Sequence, residues 1–286
     1  MTDSAPPAQF VLTLSCEDRP GIVASVSGAL AAVGANIIES QQFGSLESGR
    51  FFMRVQFASA QPRDVLVTAL TPTFDLYAMD WGLAVVGRRL RTILLVSKAP
   101  HCLVDLLYRE RHQGLEIDVV AVVGNHPDLA DIAKFYGKPF HHLPVTAATK
   151  PEAEAALRAL ITELDVEFVV LARYMQILSD ELCGDLAGRI INIHHSFLPS
   201  FKGARPYAQA HARGVKLIGA TAHYVTGDLD EGPIIEQDVE RVDHSRGVSE
   251  LQAMGEDVER RALMRAVKWH AQQRILLDGS RTVVFR

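Results

Sequence analysis

Cysteine is scarce. Cys16, Cys102 and Cys183 are far apart in 286 residues and form no CxxC pair, which argues against both a disulfide framework and a thiolate zinc centre. Long apolar runs are missing too: no stretch approaches the ~20 residues needed to cross a bilayer. Neither charge dominates, since 29 Lys and Arg against 34 Asp and Glu leave a net charge of -5 and no basic tract. Nothing there favours nucleic acid or an anionic membrane surface. The opening MTDSAPPAQF has no basic start and no apolar core of an export signal, so a cytoplasmic location is expected. What is present is an ordinary globular balance, 48% hydrophobic and 22% charged, in a length that allows one large domain or two of usual size.

Two rhythms divide the chain. Residues 10–14 read as a short apolar strand that runs into Asp18-Arg19-Pro20-Gly21, a stop built from Pro and Gly. Small and apolar residues then recur at helical spacing over 22–33, and Gly34 ends the pattern. Residues 36–43 and 50–57 read as strands around the turn SLESG, residues 62–70 as a second helix, and 74–82 as a further strand. The order β-α-β-β-α-β is that of a ferredoxin-like unit. Arg88, Arg89 and Arg91 break the pattern, which sets the domains at residues 1–87 and 88–286. Beyond them, continuous apolar strands (92–96, 119–123, 140–143, 168–172) alternate with helices at 102–111, 129–136 and 152–164. Such strands are buried on both faces, so an α/β, doubly wound and mostly parallel sheet is expected, with ligands beyond the carboxyl ends of its strands. Residues 255–274 read as a long helix leading to a hairpin at Asp278-Gly279.

The segment INIHHSFLPSFKGARPY, residues 191–207, carries the chemistry. Residues two apart on a strand share a face, so Asn192 and His194 point one way, Ile191 and Ile193 the other, and His195 away from His194. Pro199 and Gly203 punctuate the loop that follows. Thr221, His223 and Val225 share a face of a second strand, which leads into TGDLDEGP, a loop with three carboxylates and two glycines. An amide donor, an imidazole and a carboxylate together could attack a carbonyl. Asp228 and Glu231 read as solvated loop charges.

N-x-H-x-S-x-L-P, followed by H-x-V-x-x-x-L-D-x-G-P, resembles the formyltransferase-fold family, and the fuller string resembles its deformylase branch. The resemblance implies that Asn192, His194 and Asp230 are catalytic, and that formyltetrahydrofolate is the substrate. In this implied scheme Asn192 donates to the formyl oxygen, His194 stabilises the oxyanion, and Asp230 keeps the imidazole charged or orients water. LARYMQILS (171–179) is similar to the segment that grips the pterin ring in this family. Met175, Gln176, Leu178, His223, Val225 and Gly227 are the substrate-binding residues so implied, with Gln176 where transferases often carry Arg. D-R-P-G-I-V with G-A-N-I resembles an ACT regulatory domain, which implies self-association, as a dimer or tetramer, and an amino-acid effector near Asp18, Gly21 and Asn36. No metal and no cofactor beyond the folate substrate are implied, which leaves His194, His195 and His223 without a zinc role.

The acceptor can be argued from the turn Ser97-Lys98-Ala99-Pro100-His101-Cys102. It has no glycine, and Pro100 removes an N–H donor, so it is a poor phosphate cradle. Water is the expected acceptor, with formate and tetrahydrofolate as products and formate available for purine synthesis and one-carbon balance. Transfer to an amine, and an inactive folate or amino-acid sensor, are the alternatives.

Overall fold

The computed structural model describes residues 7–196, 198 and 206–286. Pro199 and Gly203 lie outside the described residues. The chain divides into two compact units, one of Met1–Arg88 with Gln272–Arg286 and one of Arg89–Ala271.

The first unit begins β1 (Ala8–Glu17), α1 (Ile22–Ala32), β2 (Asn36–Ser45), β3 (Arg50–Ser59), α2 (Arg63–Leu76), β4 (Asp80–Val85), the β-α-β-β-α-β order expected. Its antiparallel sheet runs β2-β3-β1-β4. Alternate β1 residues Phe10, Leu12, Leu14 and Cys16 meet Ile22, Val26 and Leu30 of α1 in one apolar core. α2 continues past the expected end at residue 70, so residues 74–76 are helical rather than strand. Leu66, Leu70 and Phe74 recur four apart, share a face and are all buried, so core contacts outweigh the hydrogen bond that the exposed Pro72 removes.

The second unit comprises β5 (Leu90–Val96), α3 (His101–His112), β6 (Ile117–Gly124), α4 (Ala130–Phe135), β7 (Phe140–His142), α5 (Lys150–Glu163), β8 (Phe168–Leu171) and α6 (Asp180–Asp185). β9 (Ile190–His194), α7 (Pro206–Arg213), β10 (Leu217–Tyr224), β11 (Ile234–Arg241) and α8 (Val248–Ala271) complete it. Its sheet order is β11-β10-β9-β8-β5-β6-β7. Strands β5 to β9 pair in parallel and β10 and β11 add an antiparallel edge. All four β8 residues are buried, as a strand covered on both faces requires. The winding reverses between β5 and β8, so the crevice at their carboxyl ends is the topological switch point.

Three elements were absent from the sequence reading. Ser179 caps α6 by accepting from Leu182 N at 3.2 Å, and Asp180 and Glu181 follow in its first turn, a legible start signal for a helix of only six residues. β11 (IIEQDVER) is mostly polar and lies on the sheet edge, and α7 follows β9 in the chain. α8 starts at Val248, earlier than residue 255, because Leu251 is also buried.

After α8 come β12 (Ile275–Asp278) and β13 (Arg281–Val284), the expected hairpin. Sequence order placed it with residues 88–286, but it packs in the first unit. There Arg54, buried on β3, pairs with Glu39 at 3.0 Å and donates to the Gln272 carbonyl, anchoring the start of this tail. Among the described residues no helix is long and apolar enough to cross a membrane.

Candidate active site

Strand pairing brings the polar groups together. β9 and β10 are antiparallel, with His223 opposite Asn192 and Thr221 opposite His194. Ile191 and Ile193 are buried on the far face, so Asn192 and His194 project from the face predicted. The chain then turns at residues 225–233 and returns to β10, with Tyr224 N donating to the Pro233 carbonyl at 2.9 Å. Gly232 makes this return possible, because a Cβ there would lie 1.8 Å from the Tyr224 carbonyl oxygen. Asp230 takes a left-handed conformation, φ 57°, which aims its carboxylate back over the strand ends.

Asp230 is the hub of the cluster. Its Oδ2 lies 3.2 Å from His194 Nδ1, and its Oδ1 lies 3.5 Å from His223 Nε2 and accepts from Asn192 Nδ2 at 3.4 Å. Hydrogen bonds from His194 and His223 hold the Asp230 carboxyl well below the usual carboxylate range, so it is ionised. His223 Nδ1 lies 2.9 Å from the Tyr224 carbonyl, which only accepts, so Nδ1 carries a proton. Its Nε2 then accepts from Asn192 Nδ2 at 3.2 Å in the neutral ring, or donates to Asp230 in the charged one. His194 Nδ1 is committed to Asp230, leaving Nε2 as the nitrogen that can serve a reacting group.

These side chains wall a cavity of 240 Å³. All six expected substrate-binding residues, Met175, Gln176, Leu178, His223, Val225 and Gly227, line it. Arg173, Tyr174, Ile177 and Leu229 line it as well and were not singled out from sequence. The Tyr174–Leu178 backbone is tied to the sheet: Met175 N donates to Ser97 Oγ at 2.9 Å, and Ser97 Oγ donates to Asn125 Oδ1 at 2.7 Å. Asp228 and Glu231 are both exposed, and Asp228 also lines the cavity.

His195 departs from expectation. β9 ends at His194, so strand alternation does not reach the next residue, and the two rings stack with centroids 4.7 Å apart. His195 also lines the cavity, and burial together with Arg173 and His194 pushes its pKa down to about 4, leaving it neutral near pH 7.

The effector candidates lie in the first unit. Asp18 and Gly21 (φ 96°) form the turn between β1 and α1, Asn36 opens β2, and all three are exposed. Among the described residues the group spaced to share a cation is His101, Cys102 and Glu259, not the three histidines around Asp230. Cys102 is buried, which pushes its thiol well up and keeps it protonated.

Comparison with known proteins gives the same architecture. Residues 90–267 match the formyl transferase family and residues 10–70 the ACT domain family. A formyltetrahydrofolate deformylase of Corynebacterium sp. (strain P-1) is 51% identical over 97% of this chain and 98% of its own. The crystal structure of a formyltetrahydrofolate deformylase from Burkholderia mallei superposes with a TM-score of 0.94 at 51% identity, covering 98% of this chain and all of its own. A glycinamide ribonucleotide transformylase from Symbiobacterium toebii reaches a TM-score of 0.65 at 28% identity, over 72% of this chain and 98% of its own. With an ACT domain ahead of a formyl transferase domain, and full-length relatives at this level of identity, the chain belongs to the formyltetrahydrofolate deformylase family.

Proposed function

We propose that this protein hydrolyses 10-formyltetrahydrofolate to formate and tetrahydrofolate, with Asn192, His194 and Asp230 as catalytic residues. The supporting observation is their convergence: an amide, an imidazole and an ionised carboxylate from two segments meet at the wall of one cavity. The pteridine lies along the Tyr174–Leu178 segment, which lines the cavity and whose Met175 and Ile177 side chains are exposed apolar surface. Asn192 exchanges one of its present contacts for the formyl oxygen. Water adds to the formyl carbon while His194, oriented through Nδ1 by Asp230, stabilises the oxyanion and manages the proton. The carbon–nitrogen bond breaks, the folate nitrogen takes a proton, and formate leaves.

No metal and no further cofactor takes part in this scheme. The released formate supplies purine synthesis and balances one-carbon pools, in a cytoplasmic homo-oligomer. An amino acid bound near Asp18, Gly21 and Asn36 regulates it. The deciding experiment measures formate from 10-formyltetrahydrofolate without any added amine. Stoichiometric release supports the reading, and turnover that appears only with an amine refutes it.

A further inference from the structure

The switch-point crevice, where doubly wound sheets usually take a ligand, is filled by the protein itself. Arg173 lies two residues past the end of β8 and lines the cavity beside His195. Its φ is 64°, a conformation in which glycine is at home and a long side chain is strained. Glu259 reaches it from α8 and is 1% exposed, with Oε2 3.3 Å from Arg173 Nε and 2.7 Å from His101 Nε2. Tyr207 donates to Glu259 Oε1 at 2.8 Å, and its ring lies over Gly255, where a Cβ would come within 2.1 Å of the hydroxyl. His101, the first residue of α3, follows the carboxyl end of β5. The guanidinium shares the carboxylate with His101, which argues against a metal ion among His101, Cys102 and Glu259.

We propose that Arg173 is a specificity-determining residue, which fills the acceptor side of the site and occupies the Glu259 carboxylate that would otherwise receive an amine, so that water alone reaches the formyl carbon. The inference rests on the hydrolytic reading above. An amine acceptor needs room beside the one-carbon group and a hydrogen-bond acceptor for its N–H, and the Glu259 carboxylate that now lies behind Arg173 would supply the latter once uncovered. Arg173 withholds both. With Arg173 removed, Glu259 stays in place through His101 and Tyr207. A neutral amine can then bond through nitrogen to the formyl carbon. The folate carbon–nitrogen bond breaks, and the proton shed by the amine passes to the folate nitrogen.

The test uses the full chain, 10-formyltetrahydrofolate and glycinamide as probe, with formate and N-formylglycinamide quantified together. Arg173→Gly relieves the left-handed strain and is expected to fold; Arg173→Asn, also tolerant of that conformation, carries the same readout if it does not. In Arg173→Gly the ratio of N-formylglycinamide to formate rises about tenfold or more over wild type, and Arg173→Gly/Glu259→Gln loses most of that gain. A folded Arg173→Gly enzyme that still releases formate, but gives no more N-formylglycinamide than wild type, overturns the proposal. A double variant as amine-competent as the single overturns the role of Glu259. Wild type that releases no formate at all strikes the hydrolytic reading itself, and this inference with it.

Discussion

Two carboxylates in the second unit each hold imidazole nitrogen, yet they differ in almost every other respect. Asp230 sits on a loop at the cavity wall, with 23% of its side chain exposed and histidines on both oxygens. Glu259 sits on α8 with 1% exposed, closed in by Arg173, His101 and Tyr207. Both are held in the ionised form, Asp230 mainly by its histidine hydrogen bonds, Glu259 by His101, Arg173 and Tyr207 against a larger desolvation cost. The difference is access. An acid at a cavity wall can act on a substrate through its imidazole, whereas a buried acid with a full set of partners can only shape the space beside it.

The largest expected effect breaks the open cluster. Asn192→Ala, His194→Ala and Asp230→Ala should each lower the rate of formate release by about 10²–10⁴-fold with the fold retained, as seen by unchanged circular dichroism. Near-wild-type turnover in all three would remove the catalytic assignment. Breaking the closed cluster should act on stability instead. Glu259→Ala leaves Arg173 without its counter-ion and His101 without its hydrogen-bond partner in a buried site, and denaturant unfolding should show a loss of about 3–5 kcal/mol. A loss below about 1 kcal/mol would mean that water already reaches this ion pair.

Gly232→Ala sharpens the contrast. Its Cβ would collide with the Tyr224 carbonyl, so the loop must shift and carry Asp230 with it. A displacement of this kind should cost about 10²-fold in formate release, and because the collision is with backbone it should lower stability as well. The smallest effect concerns His270, whose ring stacks on Phe168 at 4.1 Å and whose Nδ1 lies 2.8 Å from Tyr224 OH. Desolvation lowers its pKa to about 4, so the unfolded chain binds a proton near pH 5–6 that the folded chain does not. Stability from this residue is complete above about pH 6.5 and lost as pH falls toward 4. Replacing His270 by Phe should reduce the stability drop between about pH 7 and pH 5 by about 1–2 kcal/mol, measured by urea unfolding at the two values.

Legibility followed the range of the interaction. The β-α-β-β-α-β order of the first unit, the alternating strands and helices of the second, and the common face of Asn192 and His194 could be read because strand and helix periodicity is local. The continuation of α2 through Pro72 could not, since it depends on the burial of Phe74. His195 was placed on the wrong face because alternation was extended one residue beyond the end of β9. Arg173 sits within LARYMQILS, where side-chain periodicity gives it no role. A charged residue just past a fully buried strand, ahead of Tyr174, was its available signal.

The sequence by itself determined two domain rhythms, the strand that presents an amide and an imidazole on one side, and the acidic, glycine-bearing loop able to turn back. Tertiary structure decided that His223 stands opposite Asn192, that Asp230 bridges two histidines, that the C-terminal hairpin packs with the first unit, and that Arg173 meets Glu259. The reason is physical: side-chain periodicity records which face of one element is buried, but strand register, loop return and buried ion pairs exist only once segments far apart in the chain are packed together.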